Sequence, residues 1–340
     1  MARPTIADVA AAAHVSTATV DRVLNGRAGV SAASRQRVLR AARALQYLPS
    51  DGDTWLPARP VRLEFFIPLS LQGFLRQVAD RIGEFAADLP LVSGFAVHDL
   101  PDLNPETLVA ALGAVDVSTR GVGLVAVDHP ATRLAVRDLA GAGVKVVTLC
   151  SDLRATPRSA YVGLDDRVAG RTAALVMGRM RGGRPGKIGL FAGQRALHGQ
   201  RERETGFCEL IEQEFPELSV LPAIDARNDN TLSAHHTRML CRAHPDLIGI
   251  YCMGGGRSGV AQALADLDPA RRPFVIMHDI SETTRRALVD SVIDLVIDQN
   301  ARLVAEQAVI RLLGAVASAG VYLPEHFIEP RLILRENIPV

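Results

Sequence analysis

The stretch Val15–Ser31 combines hydroxyl side chains with arginine. Ser16, Thr17 and Thr19 open it, and Arg22 follows within two turns of a helix. Hydroxyl groups can bond to phosphate oxygens, and an arginine can donate two parallel hydrogen bonds to the edge of a guanine. These residue types at this spacing indicate a helix that reads DNA. The alternative is a solvated face whose hydroxyls only cap helices.

Three short helices would position these residues. Apolar residues at helical spacing predict a first helix after the cap residue Thr5, a second over Thr17–Leu24 and a third over Ala32–Gln46. Ser16 and Ser31 are suited to cap the second and third helices. Only a turn of three or four residues joins the first two helices, which is the arrangement of a helix-turn-helix. We therefore expect residues 1–49 to form a small all-α DNA-binding domain.

Charge divides the chain at the same place. Residues 1–50 carry seven arginines and two aspartates, a formal charge of +5, although the whole chain carries only +1. A basic head on a mildly acidic body points to a polyanion as partner, and a solvated arginine-rich face is the other interpretation. The hydrophobic content of 48% excludes bulk disorder.

The remaining composition argues against export and catalysis. Four cysteines without CxxC spacing (Cys150, Cys208, Cys241 and Cys252) are typical of free thiols in a reducing cytoplasm. No apolar run reaches the roughly 18 residues of a membrane helix, and the early run ADVAAAA is too short for an export signal. Ser258 is not in a G-x-S-x-G turn, and the histidines form no helical metal pair. We expect a cytoplasmic protein with no catalytic residues, metal or cofactor.

From Val61 onward, short apolar runs alternate with amphipathic stretches. Eight such runs, among them VRLEFFI, GVGLVAV, LIGIYC and VIDLVI, predict strands of parallel sheets covered by helices on both faces. A fresh start near Lys187 suggests two α/β lobes. Residues 50–60, rich in proline and aspartate, have the composition of a linker. Ligands of such sheets bind at the carboxyl ends of the strands, which here means between the lobes.

The N-terminal sequence resembles the headpiece of the LacI/GalR (lac repressor) family. The matching positions are Thr5, Asp8-Val9-Ala10, Val15-Ser16, Thr19-Val20, Arg22-Val23, Asn25, Val30-Ser31, Arg35 and Tyr47-Leu48-Pro49. The resemblance implies a headpiece, a hinge and a type I periplasmic-binding-protein-like effector domain of two parallel-sheet lobes. It also implies a homodimeric transcription regulator, by default a repressor, whose operator affinity a sugar-like ligand controls through lobe closure.

The resemblance also implies limits for each part and roles for its residues. The effector domain is residues 61–340, with a first lobe of 61–164 and 298–325 and a second of 165–297 and 326–340. Thr17, Ala18 and Arg22 fall on base-reading positions. The candidates for phosphate contacts are Thr5, Ser16, Thr19, Asn25, Ser31 and Ser34. Leu56 falls where family hinges wedge a leucine into the minor groove.

Three positions depart from the family pattern. His14 replaces the usual glycine of the turn, and histidine tolerates positive φ better than most residues. Asp21 replaces an uncharged residue and is expected to pair with Arg22 or Arg27. In the hinge, Gly52 and Pro57 oppose a stable helix around Leu56, so a wedge and a non-helical linker both stay open.

By resemblance, polar residues at strand ends form an effector cleft for a sugar, polyol or sugar derivative. The candidates are Gln72, Phe74, Asp128, Asp165, Arg201, Gly255, Asp279 and Gln299. Phe74 either stacks on a sugar ring or packs in the core. Arg201, rather than its neighbour Arg203, is expected to anchor the ligand.

One motif favours a different function. Gly254, Gly256 and Gly259 satisfy G-x-G-x-x-G between a strand and a helix, and Asp279 follows at the spacing of a dinucleotide fingerprint. The alternative is thus an NAD(P)-binding redox sensor or enzyme. A solute-binding protein with an incidental headpiece is a further alternative, which the lack of an export signal opposes.

Overall fold

The headpiece is the three-helix unit that its sequence predicts. A computed structural model describes residues 5–24, 30–45, 47, 56–69, 73–181, 183–317 and 327–339. Its first elements are α1 (Ile6–Ala13), α2 (Thr17–Leu24) and α3 (Ala32–Ala44), the last ending two residues earlier than predicted. Val9, Val20 and Val38 are completely buried where the helices meet.

Local side-chain bonds begin each headpiece helix. The Thr5 hydroxyl accepts from the Asp8 N–H, and the Asp8 carboxylate accepts from the Thr5 N–H, which makes a capping box. Ser16 accepts from the Thr19 N–H at 3.2 Å. His14 ends α1 in the left-handed region, with φ of 52°. The capping and the tolerance of positive φ expected from the sequence are confirmed.

The first lobe is built on a five-stranded parallel sheet. Its strands and helices are β1 (Val61–Ile67), α4 (Gly73–Ala87), β2 (Val92–Asp99), α5 (Pro105–Leu112), β3 (Thr119–Leu124), α6 (Pro130–Gly141), β4 (Lys145–Leu149) and β5 (Ala160–Val162). The strand order is β2-β1-β3-β4-β5. Both faces are covered, since Phe65 packs in the core beneath α4 and its neighbour Phe66 packs beneath α5 and α6.

The second lobe follows the same plan with a larger sheet. Its elements are α7 (Asp166–Arg181), β6 (Gly186–Ala192), α8 (His198–Glu214), β7 (Leu218–Val220), β8 (Ile224–Asp225), α9 (Asn230–Ala243), β9 (Leu247–Cys252), α10 (Arg257–Ala265), β10 (Phe274–His278), α11 (Glu282–Val289) and β11 (Leu295–Asp298). The order is β12-β11-β10-β9-β6-β7, where β12 is the C-terminal strand Arg331–Ile333, with β8 also paired to β6. All eight predicted strands are present, and the short β5, β7, β8 and β12 were not predicted.

The chain passes between the lobes more than once. After β11, α12 (Ala301–Ala317) returns to the first lobe and packs on α4, β3 and β4. The last strand, β12 (Arg331–Ile333), pairs antiparallel with β11 in the second lobe. Each lobe therefore needs chain from both sides of the crossover at Leu164, which itself forms a bridge to Ile328.

Among the described helices, none is both long enough and apolar enough to cross a bilayer. The four cysteines are free thiols, as predicted.

Candidate functional site

The headpiece presents one face of α2 to solvent. Val20, Val23 and Leu24 of this helix are buried, whereas Thr17, Ala18 and Arg22 are exposed. The exposed side chains sit at the N-terminal end and middle of the second helix of the helix-turn-helix. That is the part of such a helix that meets base edges in a major groove.

Hydroxyl groups surround this face. Ser16 bonds to the Thr19 hydroxyl at 2.9 Å, and Ser31 donates to the Ser34 hydroxyl at 3.0 Å while accepting the Ser34 N–H. Ser16 and Ser31 remain exposed although they cap helices. Each can therefore end a helix and still offer an oxygen or a proton to a phosphate.

Some headpiece and hinge residues are only partly covered by the structure. Asn25 and Arg27 lie outside the described residues, and so does the expected pairing of Asp21 with Arg27. Leu56 is 57% exposed, and the described residues 56–60 include no helix. An exposed leucine on non-helical backbone leaves the minor-groove wedge a prediction.

A second candidate site lies where the carboxyl ends of both sheets face each other. The Gln77 amide of α4 donates to the Ile280 carbonyl at 3.2 Å, which links the first lobe to the loop after β10. The Tyr161 hydroxyl, on β5, donates to the Leu164 carbonyl at 3.1 Å and lies 3.4 Å from the Asp166 carboxylate. The ends of the strands are thus close enough for groups of both lobes to contact one ligand.

Asp128 lies at the edge of this cleft on the first lobe. Arg133 donates to both of its carboxylate oxygens, at 2.6 and 2.7 Å. That bonding, with smaller contributions from His198 and Arg201 across the cleft, lowers the pKa of Asp128. Arg201 itself is exposed.

The buried arginine of α8 is Arg203, contrary to the expectation that it would point elsewhere. Its guanidinium donates to the Asp166 carboxylate at 2.7 Å and to the Met253 carbonyl at 2.8 Å. Burial lowers the pKa of Arg203, but Asp166 and Asp279 outweigh burial and leave the pKa raised. Two residues along a helix turn a side chain by about 200°. Arg201 and Arg203 therefore cannot face the cleft floor together.

Asp165 and Asp166, which follow the crossover at Leu164, also differ in their surroundings. Asp165, the residue expected in the cleft, accepts from the Val168 N–H at 3.0 Å and so caps α7. Asp166 is the buried one, 8% exposed, and pairs with Arg203. The carboxylate that belongs to the cleft floor is therefore Asp166.

Asp279 sits at the centre of the second lobe's contribution. It has φ of 63° and is 2% exposed. Arg257 donates to its Oδ2 at 3.0 Å and to the His278 carbonyl at 2.9 Å. The Gln299 amide nitrogen donates to its Oδ1 at 2.8 Å. The structure thus brings together Asp279 and Gln299, as expected, and adds Arg257.

The glycine-rich loop after β9 approaches neighbouring loops closely. A Cβ on Gly255 would overlap with the Asn228 amide oxygen, and a Cβ on Gly259 would overlap with the backbone oxygen of Asn230. Gly256 has φ of 79° and is the N-cap residue that precedes α10. Packing and backbone geometry account for these glycines without a dinucleotide.

Several buried polar atoms at these strand ends have no hydrogen-bond partner among the described residues. They include Ser151 Oγ, His198 Nε2, Asn228 Oδ1, His278 Nδ1 and Gln299 Oε1. Buried polar atoms are normally bonded, so a group of them at one place is typical of a site that a ligand or water completes.

Gln72 and Phe74, the two cleft candidates that follow β1, have different outcomes. Gln72 lies outside the described residues. Phe74 is 1% exposed and belongs to the buried core. Its ring is covered by protein, so the structure favours core packing over a sugar-stacking platform.

Sequence reasoning missed Asp166, Asn228 and Arg257. Asp166 begins α7 four residues after the end of β5, so its place near a strand end was a usable signal. Arg257 opens α10 within the glycine loop, where the motif drew attention to the glycines alone. Asn228 has φ of 58° in a loop whose shape the sequence does not reveal.

Two family profiles match separate parts of the chain. Residues 76–318 match the family profile described as periplasmic binding protein domain, and residues 5–50 match bacterial regulatory proteins of the lacI family. The HTH-type transcriptional regulators MalR of Streptomyces coelicolor and reg1 of Streptomyces lividans are each 52% identical over 58 residues. That stretch is 17% of this chain and only 14% of either relative.

The solved structures resemble the two lobes. A solute binding protein of an ABC transporter from Burkholderia graminis, in complex with D-arabinose, has a TM-score of 0.76 at 20% identity, covering 82% of this chain and 97% of the other. GanP, a glucose-galactose binding protein from Geobacillus stearothermophilus, has a TM-score of 0.73 at 18% identity, covering 83% of this chain and 100% of the other. At this identity the likeness shows the fold, which confirms the predicted architecture.

Proposed function

Because this chain belongs to the family of periplasmic binding protein domains and carries a lacI-type helix-turn-helix at residues 5–50, we propose that it is a DNA-binding transcriptional regulator. The observation that carries the proposal is the exposed face of α2, where Thr17, Ala18 and Arg22 stand clear of a core made by the same helix. In this proposal residues 1–49 bind the operator, residues 50–60 form the hinge, and residues 61–340 respond to a ligand.

The chemistry of the α2 face suits direct readout. Arg22 can donate two hydrogen bonds to a guanine, and Ala18 can contact a thymine methyl group. Thr5, Ser16, Thr19, Ser31 and Ser34, with Asn25, would bond to phosphates and fix the register. A pseudo-palindromic operator would require two headpieces, so the working form is a homodimer. A DNA-binding role also places the protein in the cytoplasm.

The cleft supports a small polar ligand, for which a sugar, polyol or sugar derivative is the proposed class. The solved structures of the same fold include proteins named for D-arabinose and for glucose and galactose. The cleft in this chain presents carboxylates, amides and arginines at strand ends, which are the groups that bond to hydroxyls. Asp128, Asp279, Gln299 and the backbone at Gly255 would contact the ligand, with Arg201 at the rim.

Ligand control of DNA binding follows from the lobe contacts. A ligand that favours the closed lobes shifts the protein only by its difference in affinity for the two states. Closure would change the relative placement of the two headpieces in a dimer. We propose repression that the ligand relieves, with no enzymatic step.

The test combines DNA selection with a thermal-shift screen. Random duplexes selected on the protein should converge on one pseudo-palindromic sequence. Pentoses, hexoses, polyols, sugar acids, sugar phosphates and NAD(H) are then screened for a rise in melting temperature. A ligand at a hundredfold excess over its Kd stabilises the folded state by about 2.7 kcal/mol. The active compound should release the selected duplex. If the selected duplexes share no consensus sequence, the proposed regulator function is wrong. If NAD(H) alone raises the melting temperature, the NAD(P)-binding redox alternative is favoured.

A further inference from the structure

The amide of Gln299 is held in one orientation. Its nitrogen donates to Asp279 Oδ1 at 2.8 Å, while its oxygen is buried without a partner among the described residues. A carboxylate can only accept hydrogen bonds at neutral pH, so the nitrogen must face Asp279. The oxygen is therefore the atom left for a ligand, and it can only accept.

Asp279 is held in turn by Arg257. The guanidinium, in a side chain only 6% exposed, reaches both Asp279 Oδ2 and the carbonyl of His278, one residue earlier. Arg257 thus bonds both to the Asp279 carboxylate and to the backbone carbonyl that precedes it. Asp279 has a left-handed φ at this point. Thr284 adds a hydrogen bond to the Asp279 carbonyl at 2.9 Å.

We propose that Arg257 is the positioning residue of the cleft: through Asp279 it orients Gln299 so that the cleft accepts hydrogen bonds from an uncharged ligand and disfavours an anion. This inference rests on the proposed function, because it deepens the ligand class of the same site. Nothing in the comparisons assigns Arg257 a role.

The charge balance at the strand ends supports selection against anions. Among the residues whose burial the structure describes, the buried guanidiniums of the second lobe are those of Arg203 and Arg257, which are already paired with Asp166 and Asp279. In the first lobe Arg158 is paired with Asp152. An anionic ligand would have to approach these carboxylates while the buried guanidiniums of the described residues are already neutralised by them, at a cost that low dielectric increases. Arg201 is exposed at the rim, beside Asp128, and solvent screens it.

The thiol of Cys150 is affected by the same charged groups. It follows β4 at the end of the first lobe's sheet. Its pKa is raised by burial and further by Asp279 and Asp166, against a smaller opposing effect of Arg203. Burial and the two nearby carboxylates therefore both oppose a negative charge on this thiol.

The unpaired acceptors complete the argument. Gln299 Oε1 and Asn228 Oδ1 are both buried oxygens that lack a donor among the described residues. A ligand hydroxyl can supply a proton to each, whereas a carboxylate or a doubly charged phosphate group cannot. A site built to hydrogen-bond a hydroxyl discriminates strongly against an analogue that lacks it.

The first experiment needs no ligand. In Gln299→Glu, a carboxyl group replaces the amide that bonds to Asp279. Two carboxyl groups then lie side by side, so one of them should hold a proton in the folded state. The folded-state pKa of the pair is then raised, and stability should fall as pH rises. We expect the melting temperature of Gln299→Glu to lie further below wild type at pH 8 than at pH 5. The exposed Gln213→Glu on α8 is the control and should show no such trend.

The second experiment uses matched probes: D-arabinose with D-arabinonate, and D-glucose with D-gluconate and glucose 6-phosphate, titrated calorimetrically into the full chain. The neutral member of a binding pair should bind at least about 100-fold more tightly than its anion. Arg257→Lys keeps the charge, but its shorter side chain and single ammonium do not reproduce the placement of the guanidinium Nη1, which contacts both Asp279 Oδ2 and the His278 carbonyl. We expect the ratio to fall at least about tenfold while the variant still unfolds cooperatively.

The outcomes separate the two proposals. If an anion binds as tightly as its neutral partner or more tightly, the proposed selection against anions is wrong. If the melting temperature of Gln299→Glu lies equally far below wild type at pH 5 and pH 8, the proposed Arg257–Asp279–Gln299 arrangement is wrong. Failure of every probe to bind wild type, with the pH trend present, would overturn the sugar class and its charge selection while leaving that arrangement supported.

Discussion

Gly170 of α7 lies so close to the backbone carbonyl of Arg203 on α8 that a Cβ atom at Gly170 would overlap with that oxygen. Gly206 of α8 meets the carbonyl of Arg167 on α7 in the same manner. The two helices therefore cross with backbone against backbone. This crossing brings Arg203 within hydrogen-bond distance of Asp166, so helix packing and the floor of the cleft depend on the same glycines.

The close crossing predicts that Gly170→Ala destabilises the effector domain. The obstacle is a backbone atom, which a rotamer change cannot remove, so we expect a loss of about 1–3 kcal/mol despite the better helix propensity of alanine. Gly141→Ala is the matched control, since no atom lies within 4 Å of the added Cβ. Urea unfolding monitored by circular dichroism measures both. A Gly170→Ala midpoint equal to that of Gly141→Ala would contradict the prediction.

Arg22→Ala should remove specific operator binding and leave weak association that salt abolishes. Loss of a bidentate contact to guanine costs about 1–3 kcal/mol, while the phosphate contacts remain. Fluorescence anisotropy with the selected duplex and a scrambled duplex, over a series of salt concentrations, measures both parts. Arg302→Ala, exposed on α12, removes the same charge away from the headpiece. It should bind like wild type, and wild-type specificity in Arg22→Ala would rule out the base-reading role.

His278 should make the protein sensitive to mild acid. Burial, with Arg203 and Arg257 nearby, holds the pKa of His278 well below its ordinary value of 6.5. Its Nε2 is bonded to the Tyr251 hydroxyl at 2.7 Å. The unfolded chain binds a proton below about pH 6.5 and the folded chain does not, so stability should fall by up to about 1.4 kcal/mol per pH unit between pH 6.5 and 5.

His278→Gln should flatten this acid-side slope although it lowers stability at pH 7.5. The check is the free energy of unfolding of wild type and variant at half-unit steps of pH. Exposed His235→Asn, on α9, serves as control and should keep the wild-type slope. A variant slope equal to wild type would show that other groups cause the acid sensitivity.

Gln77→Ala should weaken ligand binding and change stability little. The Gln77 amide bonds to the Ile280 carbonyl across the lobes, next to Asp279. A hydrogen bond that links the two lobes contributes about 1 kcal/mol, and its loss corresponds to a roughly fivefold rise in Kd for a ligand bound between them. Calorimetric titration with the compound found in the thermal-shift screen measures it, with exposed Gln213→Ala as control. An unchanged Kd would mean that this bond is present equally in the open and closed lobes.

Local rules predicted the headpiece well because its determinants are local. Thr5, Ser16 and Ser31 cap the helices that follow them, and each interaction lies within three residues along the chain. The strands were equally accessible, since buried parallel strands are continuous apolar runs. The missed β5, β7, β8 and β12 are two or three residues long and carry too little pattern to detect.

The cleft residues were harder to predict, because a shift of one or two positions along the chain changes whether a side chain faces the cleft. Asp165 and Asp166 are adjacent, and only the structure shows that the first caps α7 while the second is buried. Arg201 and Arg203 differ by half a helical turn with the same outcome. Phe74 follows a strand end, as a stacking residue would, but its burial depends on how α4 lies on the sheet.

The return of α12 to the first lobe bears on how the chain folds as it is made. The headpiece can form as soon as α3 has left the ribosome, whereas the first lobe must wait for α12, which is synthesised after β11 of the second lobe. Until then, the apolar faces of α4, β3 and β4 lack their cover. Nascent chains stalled between β5 and α12 should therefore expose this surface to holding chaperones, although all five strands of the first sheet are already present.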